Sequence, residues 1–159
     1  MNLPYYFPGS EAVLSDSVWE MPESALSQKR NQYLARDLLE ELSTWGDEYR
    51  YGRVLGICQS DLYASGFNFI SGEAEYPGTA AIISLHRLGG SLEEEEERAL
   101  KESIHELGHT FGLKHCRKAA CIMSFSKTLE DTDMKGMGFC EKCFARLHNP
   151  SGKLAVKAR

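Results

Sequence analysis

The sequence predicts an α+β fold in a single compact domain. Three short apolar runs have the length of buried strands, and two longer segments carry apolar residues at helical spacing. A chain of 159 residues fits one domain better than two, and it can bury a core without disulfide bonds. We expect residues 1–25 to form an irregular N-terminal segment, residues 26–150 the folded domain and residues 151–159 a flexible tail.

The first predicted helix covers residues 28–42. Leu34, Leu38 and Leu42 recur every four residues, so their side chains share one face of a helix. Gly46 lies just beyond the expected end, and glycine commonly terminates helices. The pattern therefore predicts one amphipathic helix early in the domain.

After this helix the sequence predicts three strands, at residues 54–58, 67–70 and 80–85. Each is a short apolar run with the length of a strand that is buried in a sheet. We expect turns at Gly72 and at the pair Pro77 and Gly78, because these residue types interrupt regular structure.

A long second helix is predicted to begin at Ser91. Ser91 and Glu94 have the spacing of a capping box, in which each side chain accepts a hydrogen bond from a backbone amide of the first turn. The acidic run that follows indicates a solvated helix start. The apolar stripe of this helix is formed by Leu100, Ile104, Leu107, Gly108 and Phe111. We expect the helix to stop at Gly112, and a last short helix to run from about Cys140 to just before Asn149.

Composition and charge narrow the possible function classes. The formal net charge of −5 argues against a protein that binds nucleic acid through its overall field. No stretch approaches the length of a membrane span, and residues 1–10 lack the basic and apolar regions of a signal peptide. Five cysteines in such a chain indicate a reducing compartment, where clustered cysteines usually bind metal. We therefore expect a cytoplasmic monomer that binds neither membranes nor nucleic acid.

The second helix carries the motif HExxH at residues 105–109. His105 and His109 are four residues apart, so both imidazoles can reach one zinc ion from the same helix face. Glu106 can take a proton from the attacking water and later donate it to the leaving amine. His115 supplies a third ligand if the chain turns sharply at Gly112. The alternative is a helix that carries two histidines by chance.

Four cysteines follow the histidine motif in two close pairs. Their spacing is C-x4-C, eighteen residues and then C-x2-C, and the residues are Cys116, Cys121, Cys140 and Cys143. This arrangement is typical of a tetrahedral zinc site, and four thiolates close the coordination shell, so the metal would be structural. The alternatives are unligated core cysteines or a disulfide pair. Cys58 lies in an apolar run and is interpreted as a buried free thiol.

These residues together resemble the archaemetzincin family. Residues 105–115 match HExxHxxGxxH, the extended motif of the metzincin zinc peptidases. The continuation that is similar to archaemetzincins in particular consists of Cys116, Cys121, Met123, Cys140 and Cys143. Further segments that resemble the family lie upstream, at residues 30–33, 61–63, 68–69, 72–74 and 83–88. The resemblance extends from about residue 30 to residue 147.

The resemblance implies a metzincin-like domain with a mixed sheet flanked by helices. It implies that the three histidines hold a catalytic zinc ion, that Glu106 is the general base and that Met123 lies in a hydrophobic floor beneath the zinc. A peptide substrate is expected to add along an edge strand, and residues 80–85 are the candidate for that strand. Two features depart from the family. No strand is predicted in residues 1–25, and Phe125 stands where some other metzincins place a tyrosine.

The sequence thus predicts a zinc metallopeptidase with two zinc ions per chain and a peptide or protein substrate. One alternative is a zinc-containing binding module with little or no turnover, against which the intact Glu106 argues. A second alternative is a nucleic-acid-binding protein that uses the four-cysteine site. The segment between the cysteine pairs offers no basic stripe, since it carries Lys127 and Lys135 against Glu130, Asp131 and Asp133.

Overall fold

The structure, a computed structural model, describes residues 3–16 and 18–148. The helices in this part of the chain are α1 (Leu3–Tyr6), α2 (Ala35–Glu48), α3 (Leu92–Thr110), α4 (Leu129–Met134) and α5 (Glu141–His148). The strands are β1 (Leu26–Ser27), β2 (Gln32–Leu34), β3 (Val54–Cys58), β4 (Leu62–Tyr63), β5 (Gly72–Ala74) and β6 (Ala80–Ser84). The predicted tail at residues 151–159 lies outside the described residues.

The six strands form two small mixed sheets. One has the order β1-β2-β4, and the other has the order β3-β6-β5. In the second sheet β3 runs parallel to β6, whereas β5 runs antiparallel to it. The interpretation of residues 80–85 as an edge strand was therefore wrong. All five residues of β6 are buried, because the strand is covered on both sides by neighbouring strands and on both faces by helices.

Helices α2 and α3 pack on opposite faces of the second sheet. Ala80 and Ile82 of β6 belong to one core cluster with Leu38 of α2. Ala81, which alternates with them along the strand, belongs to a second cluster with Ile104 of α3. The prediction of a mixed sheet flanked by helices is confirmed.

The first predicted helix begins later than its pattern suggested. Residues 32–34 form strand β2 instead, and the helix runs over Ala35–Glu48, so that Gly46 lies inside it. Asn31 has a φ of 52°, which is outside the helical region. The amide of Tyr33 donates to the carbonyl of Asp61 at 2.9 Å. Pairing with a distant strand thus overrides the helical tendency of these residues.

The strand predictions at residues 54–58 and 80–85 are confirmed, but the one at 67–70 was wrong. Only Ile70 makes an isolated bridge, to Leu62. The guanidinium of Arg30 donates to the carbonyls of Phe67 and Asn68 at 3.2 and 2.9 Å, so these backbone groups bind a side chain and not a strand. Gly72, predicted as a turn, is the first residue of β5.

Helix α3 begins and ends where the sequence predicts. The Ser91 hydroxyl accepts from the amide of Glu94 at 3.3 Å, and the Glu94 carboxylate accepts from the amide of Ser91 at 2.7 Å. The helix ends at Thr110, and Gly112 adopts a φ of 84°, a value that favours glycine. None of the helices in residues 3–16 and 18–148 has the length and apolar character needed to cross a membrane.

The N-terminal segment packs on the core although it is mostly irregular. The one-turn helix α1 is followed by Phe7, which is buried and stacks on Phe111 with the ring centroids 5.0 Å apart. Among residues 3–16 and 18–148, the first strand begins at Leu26.

Candidate active site

Three histidines converge at the C-terminal end of α3. His105 and His109 lie one turn apart on the helix, with 3.1 Å between their Nε2 atoms. The turn at Gly112 brings the chain back toward the helix. The ring centroid of His115 lies 5.3 Å from that of His105 and 4.9 Å from that of His109. One nitrogen from each ring lies within 4.8 Å of the other two.

The hydrogen bonds of the helix histidines fix their tautomers. Nδ1 of His105 lies 2.8 Å from the carbonyl oxygen of Ile122, and Nδ1 of His109 lies 2.7 Å from that of Leu113. A carbonyl oxygen only accepts, so each Nδ1 carries the proton and each Nε2 presents a lone pair. Two lone pairs that face each other at 3.1 Å repel, and a shared cation relieves that repulsion. The donor set fits a zinc ion with an open coordination position.

The electrostatic environment favours neutral imidazoles. Burial lowers the pKa of His105 well below its usual value, and the positive charge of Lys135 adds to this effect. Burial of His109, and the partial desolvation of the more exposed His115, also lower the pKa values of these two side chains. Neutral imidazole is the form that binds zinc, so these shifts prepare the three side chains for a metal at neutral pH.

The side chain of Glu106 extends from α3 toward strand β5, and the residue is only 6% exposed. Burial raises the pKa of its carboxyl group well above the usual range, the nearby carboxylates of Glu102 and Glu73 raise it further, and Lys135 opposes them. A carboxylate with a raised pKa is a stronger base, which suits a group that takes up and returns a proton.

Met123 packs against the helix that carries two of the histidines, and two aromatic side chains lie beside the histidine rings. Met123 is fully buried, and a Cβ atom placed on Gly108 would lie 2.5 Å from its sulfur, so the side chain packs directly against helix α3. The Phe125 ring lies 5.0 Å from the His115 ring. The Tyr76 ring lies 6.1 Å from the ring of His109. Tyr76 has no sequence signal of its own, and only the fold brings it to the site.

The four cysteines of the two pairs also come together. Their Sγ atoms lie within 4.8 Å of one another, and none of the cysteines in the described part of the chain forms a disulfide. The backbone amide of Cys140 donates to Sγ of Cys121 at 3.3 Å, an interaction that stabilises thiolates. Cys58 lies outside this group, and it is half-buried, not buried as the sequence suggested.

One short segment joins the two groups of ligands. The amide of Cys116 donates to the carbonyl of Met123 at 2.8 Å. Ile122, whose carbonyl orients His105, lies directly between Cys121 and Met123. The four-cysteine group therefore holds the segment around Ile122, which orients His105. Its first member, Cys116, also directly follows His115 in the chain.

A buried charged pair was not anticipated from the sequence. Nζ of Lys135 lies 3.7 Å from Oε1 of Glu102, and both side chains are almost inaccessible to solvent. Glu102 lies one turn before Glu106 on α3. Helix α4 is held nearby because Arg98 donates to both carboxylate oxygens of Asp133 at 2.7 Å. A lysine in a loop carries no sequence signal of burial, since only the packing of α4 on α3 buries it.

The family model described as Peptidase family M54 matches residues 12–149. The chain belongs to peptidase family M54. The archaemetzincin of Methanopyrus kandleri is 49% identical over 125 residues, which cover 78% of this chain and 70% of that protein. The archaemetzincin of Pyrococcus furiosus is 42% identical over 153 residues, which cover 89% of this chain and 80% of that protein.

Solved structures of relatives have the same fold. The crystal structure of the M. kandleri archaemetzincin superimposes with a TM-score of 0.77 at 48% identity, over 81% of this chain and 71% of that one. A zinc-dependent peptidase from Methanocorpusculum labreanum superimposes with a TM-score of 0.76 at 28% identity, over 84% and 83%. The chain is thus an archaemetzincin-type zinc metallopeptidase, a hydrolase, and the alternative of a binding module without turnover is not favoured.

Proposed function

We propose that His105, His109 and His115 hold the catalytic zinc ion of this peptidase. The observation that carries the proposal is the pair of Nε2 lone pairs that face each other at 3.1 Å, with both Nδ1 atoms bonded to carbonyls. Met123, buried against Gly108, would form the floor beneath this site. When bound, zinc supplies a Lewis acid that lowers the pKa of water and polarises a carbonyl group.

Glu106 serves in this proposal as the general base. Its carboxylate takes a proton from the water that attacks the peptide carbonyl, and it then donates that proton to the amine that leaves. The buried position next to Glu102 and Glu73 raises the pKa of Glu106, which makes the carboxylate more basic. Phe125 has no hydroxyl group, so it cannot donate a hydrogen bond to the developing oxyanion.

Strand β5 is the proposed binding edge for the substrate backbone. It is the edge strand of the second sheet, and it lies directly beside Glu106. The backbone hydrogen bonds on either side of β5 join it to β6, with the amide of Glu75 donating to Ala80 and the amide of Ser84 donating to Ser71. Because bonded pairs alternate in an antiparallel ladder, the backbone groups of Gly72 and Ala74 point away from β6. A peptide can pair with these groups as an added strand.

The four cysteines are the proposed ligands of a second, structural zinc ion. The four Sγ atoms lie within 4.8 Å of one another, and four thiolates would fill the tetrahedral shell of zinc without leaving a position for water. We further propose a monomer that acts in the cytoplasm, where a reducing environment keeps this thiol cluster free of disulfides.

Protein purified without added metal should contain two zinc ions per chain. The basis is the presence of two separate ligand sets, three histidines and four cysteines. Elemental analysis together with a protein concentration from amino-acid analysis measures the ratio. A ratio of one in which the zinc stays bound to the four-cysteine site fits partial loss from the open site. A firm ratio of zero would contradict both assignments.

The metallated protein should cleave peptides in a broad peptide library. A chelator should abolish the cleavage, and stoichiometric zinc should restore it, because the open site has only three protein ligands. Mass spectrometry of the products identifies the cleaved bonds. Cleavage that survives complete removal of zinc would rule out the proposed mechanism.

A further inference from the structure

The side chain of Glu106 lies unusually close to the backbone of strand β5. A Cβ atom placed on Gly72 would lie 2.8 Å from Cγ and 3.0 Å from Oε1 of Glu106. Such distances are shorter than normal van der Waals contacts, so no residue larger than glycine fits here without movement. Glycine therefore lets the carboxylate lie against the edge strand.

Packing, and not hydrogen bonding, holds Glu106 in this position. Within residues 3–16 and 18–148, no hydrogen bond reaches its carboxylate from a side chain or a backbone group. The side chain is nevertheless only 6% exposed. Its orientation is consequently set by the surfaces it touches, one of which is the backbone at Gly72.

Hydrogen bonds on both sides of Gly72 anchor strand β5 to β6. Gly72 lies opposite Ile83 in the ladder, and the amide of Ser84 donates to the carbonyl of Ser71 at 2.8 Å on one side. The amide of Glu75 donates to the carbonyl of Ala80 at 3.0 Å on the other side. A Cβ on Gly72 would also approach the carbonyl oxygen of Ile82 to 3.0 Å. The group that yields is therefore the unanchored side chain of Glu106.

We propose that Gly72 is a positioning residue for Glu106, and that a side chain at position 72 displaces the Glu106 carboxylate from the substrate-binding edge. This inference rests on the proposed role of Glu106 as the general base. It adds the requirement for a glycine at position 72 of strand β5, which lies outside the HExxH motif. Gly72 would thus have two roles. Its backbone groups would pair with the substrate peptide, and its lack of a side chain would leave room for the carboxylate of Glu106.

A stability cycle tests the contact without any activity measurement. Thermal unfolding is compared for the wild type, Gly72→Ala, Glu106→Ala and the double variant. Gly72→Ala should lower the Tm, and the loss should shrink clearly when Glu106→Ala has removed the atoms that clash. Gly52→Ala is the matched control, because a Cβ on Gly52 meets no atom within 4 Å. It should show no coupling to Glu106→Ala.

The kinetics of Gly72→Ala then separate positioning from general damage. We expect kcat to fall roughly 10–100-fold, with KM and the zinc content nearly unchanged, because a small displacement of a catalytic group is costly. If Gly72→Ala fails to fold, the double variant should still fold. Rescue of folding by Glu106→Ala would show the same stability coupling between the two positions in a stronger form.

Equal effects of Gly72→Ala in both backgrounds would overturn the inference, and so would the failure of both the single and the double variant to fold. A stability coupling in a protein without peptidase activity would instead support the contact and contradict the proposed function.

Discussion

Replacing Glu106 with glutamine should lower kcat by roughly 10²–10⁴-fold, the range that general acid–base catalysis typically contributes. Glutamine keeps the shape of the side chain beside Gly72, and it leaves the three histidines intact, but it cannot accept the proton from water. The variant should therefore retain both zinc ions. Cleavage of a fluorogenic peptide selected from the library and elemental analysis of the same samples measure the two properties.

The matched control is Glu96→Gln, the same change at an exposed position of the same helix. It should retain wild-type kcat and zinc content. Equal cleavage by Glu106→Gln and the wild type would indicate a contaminating peptidase or a mechanism that does not use Glu106.

Replacing Cys140 with serine should lower the Tm much more than replacing His115 with alanine. Binding of structural zinc is coupled to folding, and it is worth about 10–16 kcal/mol of apparent free energy in small zinc domains. Cys140 lies among four cysteines that tie residues 116–121 to the start of α5. His115 is more exposed than the other two histidines, so its removal costs the protein little packing. Differential scanning calorimetry of both variants measures the difference.

The fifth cysteine provides the control for this comparison. Cys58→Ser makes the same chemical change outside the cluster, where the thiol donates to the carbonyl of Ser60 at 3.6 Å. It should change the Tm slightly and leave the zinc content at two per chain. A larger loss of Tm in His115→Ala than in Cys140→Ser would reverse the proposed roles of the two metals.

The Cys140→Ser variant should also bind the catalytic zinc more weakly. Ile122 follows Cys121 directly, and its carbonyl oxygen accepts a hydrogen bond from Nδ1 of His105 across 2.8 Å. Loosening this segment releases the imidazole from its orientation, and loss of such a supporting partner typically costs 10–100-fold in metal affinity.

Local spacing by itself determined the parts of the site that lie on one element. His105, Glu106 and His109 share α3, so the helical period alone brings them together. The start of that helix was predictable for the same reason, because a capping box involves residues only three apart. The cysteine pairs were recognisable since their ligand spacing reflects the tetrahedral shell of a metal.

Only the tertiary structure decided which distant residues complete the site. Strand β6 lies at the centre of its sheet and β5 at the edge, an order that an apolar run does not encode. Gly72 was expected in a turn, yet it lies in strand β5, and its backbone packs against the side chain of Glu106 on the distant helix α3. Lys135 is buried by the docking of α4 on α3. Such contacts join residues far apart in the chain, so they depend on the packing of whole elements and not on local periodicity.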